Sequence, residues 1–454
     1  MRVNAVLIAG LSLISVASGA RQTPAAGGLF SGHNALTVTL EAPLNDLFAK
    51  AQAQPEYSVK GRLRYAEAGA REISIDNIHV SVRGNTSKAA TECPFPKLKL
   101  HFAPDAAPAS SPFSGMKAVK IGTHCGELPG EQITPKFGRL ANEKAPSREA
   151  LVYRLLEAAQ VPSFRARPAR IMYVLGDQKV ERNAFFLEDD HDAMKRLGGT
   201  REIAPDEFHD AAQDIAPADA ARLAFGEAMI GNFDWCLKFS ANDTYRCDAR
   251  RKLWNISAYA REGATALPVM GDFDIAGMVA GRHHWFRNVF YDGFVPSKSA
   301  AEIEVLSQVQ RTRTLFPRDV LDTARRSFME RKAAVYEALA ATTLDPAGQQ
   351  TIEAYLNSFF RAIDTDAVFY APVVARPDVR LYLDAAKSRA ACGAADTLPV
   401  GTPVGAPLQT EGQMVQVAIL DVLWHWAPPA KCDAIHTAPV WIDKSAIDTK
   451  YPGR

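Results

Sequence analysis

Three polar side chains in the middle of the chain have the types and the order that phosphoryl transfer uses. Asp234 ends the segment Gly231-Asn232-Phe233-Asp234, Asn242 follows eight residues later, and Asp272 begins an Asp-Phe-Asp triplet that ends at Asp274. In such a reaction a carboxylate positions the acceptor hydroxyl, while an amide and a second carboxylate hold magnesium. The spacing therefore predicts a catalytic Asp234 and a metal site at Asn242 and Asp272.

Other interpretations of these residues stay open. Gly-Asn after a helix is a common left-handed stop, and both the Asp-Phe-Asp triplet and the segment around Asn242 are typical of turns. Asp234, Asp272 and Asp274 would also suit a metal-dependent hydrolase, although no His-x-x-x-His spacing supports one. A short motif remains a hypothesis until its structural context supports it.

Four cations earlier in the chain are candidates for binding phosphate. Arg83 begins the turn Arg83-Gly84-Asn85-Thr86-Ser87, whose glycine can turn backbone N–H groups toward an anion. Lys97 and Lys99 alternate with leucines, so they lie on one face of a predicted strand, and Lys120 repeats the pattern in the next strand. A solvated strand face is the alternative for these lysines.

Periodic apolar residues predict regular elements around both groups of charges. The alternation slips at Asp76-Asn77, which indicates a bulge or tight turn, and Ser147 is the predicted cap of a helix that begins at Pro146. The predicted strands cover residues 36–40, 57–65, 73–82, 169–175 and 184–187, a strand pair lies between residues 254 and 270, and the predicted helices cover residues 218–230 and most of 300–364.

Length and charge restrict the class of protein. A chain of 454 residues predicts two or three domains. The 52 lysines and arginines nearly balance the 51 aspartates and glutamates, which argues against nucleic acid or an anionic membrane surface as the main partner.

The chain begins like an exported protein. Arg2 precedes an apolar run over residues 6–16, and Ser18-Gly19-Ala20 is typical of a signal-peptidase site, so residues 1–20 are predicted to be a signal peptide. The run is shorter than the roughly 20 residues that span a bilayer, and no later segment is a candidate. We expect a periplasmic or secreted mature chain without a transmembrane segment.

Six cysteines in an exported chain predict disulfides. Sequence alone permits many pairings, but the spacing favours neighbours. The predicted bridges join Cys93 to Cys125, Cys236 to Cys247, and Cys392 to Cys432.

Six motifs resemble the spore-coat CotH-like kinases in type and order, over roughly residues 35–345. They are Arg83-Gly84-Asn85-Thr86-Ser87, Phe95-Pro96-Lys97-Leu98-Lys99, Arg148-Glu149-Ala150-Leu151, Phe186-Leu187-Glu188, Gly231-Asn232-Phe233-Asp234 and Asp272-Phe273-Asp274. The resemblance implies an atypical bilobal kinase fold, ATP with Mg²⁺ or Mn²⁺, and phosphorylation of proteins. One departure is Met270-Gly271 before Asp272, where the family commonly has an aromatic residue.

The resemblance also assigns roles to residues. It makes Asp234 the catalytic aspartate and Asn242 and Asp272 the metal ligands, with Asp274 as a supporting carboxylate. It implies nucleotide binding by Arg83, Lys97, Lys99 and Lys120, among which Lys99 matches the family's strand lysine best. Glu149 is the expected helix partner of that lysine.

The last part of the chain resembles a bacterial SH3-like module. The resemblance rests on Leu398-Pro399-Val400-Gly401-Thr402, Met414-Val415-Gln416-Val417 and Val440-Trp441-Ile442. We expect an SH3-like β domain over residues 366–454, joined by a helical linker at 346–365. Such modules bind cell-wall or protein ligands.

These expectations combine into a fold class and two functions. The fold class is α+β, a kinase-like bilobal domain followed by a small all-β SH3-like barrel. The first function is an exported atypical kinase that transfers the γ-phosphate of ATP to a protein hydroxyl with Mg²⁺. The alternative is a non-catalytic pseudokinase scaffold that binds the cell wall or an envelope partner through its SH3-like module.

Overall fold

A computed structural model describes most of the chain. It covers residues 28–66, 72–128, 130–241, 247, 251–281, 299–313, 315–370, 372–376, 378–393, 397–398, 400, 402, 404–419 and 438–448. The predicted signal peptide, Asn242 and Cys432 lie outside these residues.

The described residues form a mixed α+β protein, which confirms the predicted class at that level. Its helices are α1 (Leu44–Ala51), α2 (Ala145–Ala158), α3 (Asp190–Arg196), α4 (Ala211–Asp214), α5 (Pro217–Ile230), α6 (Gly277–Ala280), α7 (Ala300–Thr312), α8 (Arg318–Ala340), α9 (Pro346–Asp364) and α10 (Asp366–Phe369). Its strands are β1 (Leu36–Glu41), β2 (Ser58–Tyr65), β3 (Ile73–Val82), β4 (Leu98–His101), β5 (Ala118–Gly122), β6 (Ala166–Leu175), β7 (Gln178–Leu187), β8 (Arg201–Glu202), β9 (Cys236–Leu237), β10 (Leu253–Trp254), β11 (Ile256–Arg261), β12 (Ala264–Met270), β13 (Val373–Val374), β14 (Gln409–Glu411), β15 (Met414–Val417), β16 (Val440–Asp443) and β17 (Ile447–Asp448).

Seven strands close into a barrel in the order β1-β2-β3-β4-β5-β7-β6. Six pairings in this barrel are antiparallel, and the parallel pairing of β1 with β6 closes it. Alternate residues of each strand point inward, because side chains in a strand have a period of two. The buried interior includes Leu36, Val38, Leu40, Leu63, Ile75, Val80, Leu98, Leu100, Val119, Ile121 and Ile171.

The slip predicted in the third strand is present. Asn77 has a φ of 56°, and the pairing of β2 with β3 shifts between Gly61 and Leu63. The extra residue lets Ile75 and Ile78 both face the interior, where each is fully buried. The predicted irregularity is therefore confirmed.

Helix α2 lies between the barrel and the other helices, with contacts to β6, β7, α6 and α8. It begins at Ala145, and Asn142 Oδ1 accepts a hydrogen bond from Lys144 N at 2.9 Å just before it. The predicted cap at Ser147 is wrong, because Pro146 already occupies the first turn. Most of the helix is buried, including Glu149.

Helices α5, α7, α8 and α9 form a second core together with β11 and β12. Helix α9 buries Tyr355, Leu356, Phe359, Phe360 and Ile363 in this core. Most of the predicted linker at residues 346–365 is therefore packed as part of the helical region.

The carboxyl-terminal residues that are described are rich in β structure. Strands β14, β15 and β16 form an antiparallel sheet, and β13 pairs with β17. Their small apolar core includes Val374, Leu398, Val415, Val417, Val440 and Ile442.

Two of the three predicted disulfides are confirmed, Cys93–Cys125 and Cys236–Cys247. The third prediction includes Cys432, which is outside the described residues. None of the described helices combines the length and the apolar character needed to cross a bilayer.

Candidate functional site

Asp234 lies in a tight loop after α5. The helix ends at Gly231, whose φ of 64° is left-handed, and a Cβ there would lie 2.2 Å from the Tyr355 ring, so only glycine fits. The buried Asn232 then accepts a hydrogen bond from Asp234 N at 3.0 Å and donates one to Glu227 at 2.9 Å. These bonds fix the main chain that presents the carboxylate.

Two consecutive residues hold the Asp234 side chain. The indole Nε1 of Trp254 donates to Oδ1 at 3.0 Å, and Nδ2 of Asn255 donates to Oδ2 at 2.9 Å. Asn255 Nδ2 also contacts the Asp234 carbonyl oxygen at 2.6 Å. Asn255 links β10 to β11 with a φ of 54°, a conformation that asparagine tolerates better than most residues.

Asp272 follows β12 and is held by its main chain. Its φ is 61°, and its N–H donates to the Tyr153 hydroxyl on α2 at 3.1 Å. The residue before it, Gly271, has no room for a side chain, because a Cβ would lie 2.8 Å from the Phe164 ring. Phe164 therefore explains why an aromatic residue is absent directly before the triplet.

Lys97 joins both carboxylates of the triplet. Its Nζ lies 2.5 Å from Asp272 Oδ1 and 2.9 Å from Asp274 Oδ2, and its side chain is 4% exposed. Burial by itself would lower the pKa of the Lys97 ammonium, but Asp272, Asp274 and Glu149 outweigh burial and raise it. Lys97 is therefore charged across the physiological range.

Asp274 is the buried end of the triplet. Arg139 Nε donates to its Oδ2 at 2.7 Å, and Arg139 Nη2 donates to Thr86 in the Arg83–Ser87 turn at 2.6 Å. Burial by itself would raise the pKa of Asp274, but Arg139 and Lys97 outweigh it and hold the pKa well below its usual range. This network connects the turn to the carboxylates.

The other two predicted lysines bind a different pair of acids. Lys99 and Lys120 lie opposite each other on β4 and β5. Lys99 contacts Asp189 at 2.6 Å and Lys120 contacts Asp190 at 2.7 Å, both in the connector that follows β7. Burial lowers the pKa of Lys120, whose ammonium also lies 4.2 Å from the centre of the Phe164 ring.

Glu149, Tyr153 and Arg83 line the back of the site. Burial is the main cause that raises the pKa of the Glu149 carboxyl, and it also raises that of the Tyr153 hydroxyl. Glu149 interacts electrostatically with Lys97, whereas the resemblance favoured Lys99 as the lysine that Glu149 would pair with. Arg83 Nε is buried and has no hydrogen-bond partner among the described residues.

These groups surround a cavity of about 220 Å³. Its lining residues are Arg83, Lys120, Glu149, Tyr153, Phe164, Leu187, Asp190, Asn255, Ile256, Ser257, Gly271 and Asp272. Cations, acids and apolar side chains thus meet in one concave space, the usual setting of a small-molecule site.

Asp234 is electrostatically close to the same cluster. Burial, together with the nearby negative charges of Asp274 and Asp272, raises the pKa of Asp234 to about 6, although the bonds from Trp254 and Asn255 work in the opposite direction. A carboxyl with this pKa is mostly ionised at neutral pH and still accepts a proton readily.

The structure thus brings together most of the predicted site residues. Asp234, Asp272, Asp274 and Lys97 form one cluster, and Arg83 and Lys120 line the adjoining cavity. Lys99 contacts the connector acid Asp189. Asn242 lies outside the described residues, so its predicted role stays a prediction.

Four residues of the site were missed by the sequence analysis: Trp254, Asn255, Arg139 and Phe164. Trp254 and Asn255 could have been noticed, because they stand at the start of the predicted strand pair, where an amide such as Asn255 is less common than an apolar residue. Arg139 and Phe164 lie in irregular segments, which have no periodicity to mark them. Their roles follow from contacts with residues distant in the chain.

The comparisons with known proteins assign no family. No protein-family model matches the chain, and no curated protein sequence matches it either.

Proposed function

We propose that the chain is an exported phosphotransferase with a kinase-like site, which transfers the γ-phosphate of ATP to a protein hydroxyl. The observation that carries the proposal is the ion cluster of Lys97 with Asp272 and Asp274, next to Asp234 and open to a cavity that contains Arg83 and Lys120. Positioning and charge neutralisation are the main needs of phosphoryl transfer.

The residues present suit a nucleotide triphosphate and a divalent ion. Arg83 lines the cavity together with Lys120, its Nε has no hydrogen-bond partner among the described residues, and guanidinium groups are good phosphate ligands. Asp272, whose side chain is 44% exposed, and the amide oxygen of Asn255 offer the hard oxygen donors that Mg²⁺ prefers. Bound there, the ion would neutralise phosphate charge.

Asp234 would act on the acceptor. Its carboxylate is part-buried, held on both oxygens, and mostly ionised above pH 6. In this role it orients the acceptor hydroxyl and takes up its proton. Lys97, tied to Asp272 and Asp274, keeps these carboxylates from repelling one another.

The disulfides support the exported location. Cys93–Cys125 and Cys236–Cys247 both lie close in sequence to site residues, Lys97 and Asp234 respectively. Disulfides persist in oxidising compartments and are rare in the cytosol. We therefore place the activity in the periplasm or outside the cell.

A thermal-shift measurement tests nucleotide and metal binding. With ATP and Mg²⁺ or Mn²⁺ at about a hundred times the dissociation constant, the wild-type chain should gain about 2.7 kcal/mol of stability. Asp272→Ala should lose the metal-dependent part of this gain. Asp177→Ala, which removes an exposed carboxylate from the β6–β7 turn, should behave as wild type.

One observation favours a second function, the pseudokinase scaffold. Lys97 and Arg139 form ion pairs with the triplet carboxylates, the side chains that a metal ion would need as ligands. A chain whose melting temperature is unchanged by ATP with Mg²⁺ or Mn²⁺, and which sediments with purified peptidoglycan through residues 366–454, would support the scaffold and overturn the kinase.

A further inference from the structure

The indole N–H of Trp254, the one polar group of its side chain, donates a hydrogen bond to the Asp234 carboxylate. The indole Nε1 lies 3.0 Å from Oδ1. The ring is half-buried and does not line the cavity, and the guanidinium of the exposed Arg251 lies 4.2 Å from its centre. The indole is therefore held against Asp234 without filling the apolar core.

The indole bond and the Asn255 bond have a joint geometric effect. Oδ1 accepts from Trp254 and Oδ2 accepts from Asn255, so turning the carboxylate about its Cβ–Cγ bond breaks both. A carboxylate held on both oxygens has one orientation, whereas one held on a single oxygen can swing. The remaining lone pairs of Asp234 consequently point in fixed directions.

We propose that Trp254 is a positioning residue, whose indole N–H sets the orientation in which the Asp234 carboxylate meets an acceptor hydroxyl. This inference rests on the proposed function. In the transfer step the acceptor oxygen bonds to the γ-phosphorus, the bond from that phosphorus to the bridging oxygen breaks, and ADP leaves with the electron pair. The hydroxyl proton passes to Asp234.

The charged groups around Asp234 belong to other elements and remain in place when Trp254 changes. Asp272 and Asp274 approach from the loop after β12, and Arg139 approaches from the segment before α2. Trp254→Phe keeps an aromatic ring at this position and removes the indole N–H together with the five-membered ring. The ratio of its effects on kcat and on KM therefore reports the lost hydrogen bond to Asp234.

The test measures transfer of labelled γ-phosphate from ATP to dephosphorylated casein by the full chain. Trp254→Phe should lower kcat by about tenfold, the size expected when one hydrogen bond to a charged group is lost. The KM for ATP should stay within about twofold of wild type, because the interaction acts on the acceptor step. Trp441→Phe removes a distant indole N–H and should leave both constants unchanged.

The outcomes separate this inference from the proposed function. A wild-type chain that transfers no phosphate, or an Asp234→Asn chain that transfers it at the wild-type rate, overturns the proposed function and this inference with it. An active wild type, an inactive Asp234→Asn and a Trp254→Phe with wild-type kcat overturn only the role of Trp254. A rise in the KM for ATP without a fall in kcat also overturns that role.

A second measurement does not depend on whether Trp254→Phe folds. In the full chain labelled with ¹⁵N-tryptophan, one indole N–H should exchange with solvent more slowly in wild type than in Asp234→Ala. Equal exchange of every indole in the two proteins would show that Asp234 holds none of them, and the inference would fail.

Discussion

The barrel and the helical region hold the charged side chains of the candidate site in different ways, and we call these two sides of the site the barrel wall and the helical wall. On the barrel wall, Lys99 and Lys120 project from paired strands, so the register of the sheet sets their directions. On the helical wall, Asp234 and Asp272 lie in loops, and each is placed by hydrogen bonds from side chains of other segments.

The positions of the side chains in the two walls therefore depend on different features of the structure. A lysine on a strand stays in place as long as the barrel is intact, whereas a carboxylate in a loop depends on a few individual bonds. Lys97 connects the two walls, because it directly precedes β4 and forms ion pairs with Asp272 and Asp274 of the helical wall. Substitutions in the helical wall should therefore change activity most, and loss of Lys97 should change stability most.

The largest effect is expected at the helical wall, for Asp234→Asn. The amide keeps the shape of the side chain but accepts no proton from the acceptor, so kcat should fall by about a hundredfold to ten thousandfold. Transfer of labelled phosphate to casein measures the rate. The melting temperature at pH 7.5 should fall only slightly, because the amide accepts one of the two hydrogen bonds made to the carboxylate but removes the cost of burying a charge. A large loss of stability would show that Asp234 is mainly structural.

The next largest effect is expected where the walls meet, for Lys97→Met. Loss of this buried cation leaves Asp274 with Arg139 as its remaining partner, close to Asp272 and Glu149, and breaking a buried ion pair costs about 3 kcal/mol. Urea unfolding at pH 7 measures the free energy of unfolding. Lys60→Met, on the exposed face of β2, is the control and should change it little. Equal free energies of unfolding for the two variants would show that the ion pairs of Lys97 do not stabilise the contact between the two walls.

The pH dependence of activity and stability distinguishes Asp234 from the other carboxylates of the helical wall. With the pKa of Asp234 in the free protein at about 6, kcat/KM should rise about tenfold per pH unit up to pH 6 and level off above pH 7. The pKa of an unfolded aspartate is lower, so the contribution of Asp234 to stability is present at low pH and is lost as the pH rises through 6. Wild type should therefore lose stability relative to Asp234→Asn over the range in which it gains activity.

Changes of activity and stability in the same direction would contradict this assignment. The comparison with Asp234→Asn is needed because other groups also titrate in this range. Nucleotide should be present well below its KM, because kcat/KM reports the pKa values of the free enzyme.

The barrel wall was largely predictable from the sequence. Alternation placed Lys97 and Lys99 on one face, and the slip at Asp76-Asn77 was visible because the apolar residues changed phase there. Both are local properties of a strand. The closure of the barrel was not predictable, because it depends on the parallel pairing of β1 with β6, more than a hundred residues away.

The helical wall was predictable in its residue types but not in its contacts. The spacing identified Asp234 and Asp272, whereas the bonds from Trp254 and Tyr153 join segments that are distant in the chain. The CotH-like kinases that the chain resembles commonly have an aromatic residue at the position of Gly271. Phe164, which no short motif includes, leaves no room for such a side chain here. Tertiary packing, which short motifs do not encode, determines these details.

The smallest effect is expected for Lys99→Met. This variant tests which of the two neighbouring lysines, Lys97 or Lys99, belongs to the site. Alternation cannot separate Lys97 from Lys99, since residues two apart share a face, and the family resemblance favours Lys99. The contacts favour Lys97, because Lys99 is 26% exposed and contacts Asp189 in the connector instead of the triplet. Lys99→Met should therefore lower the free energy of unfolding by at most about 1 kcal/mol and leave kcat within about twofold. If it instead abolishes transfer while Lys97→Met retains it, Lys99 is the phosphate-binding lysine and the Lys97 cluster is only structural.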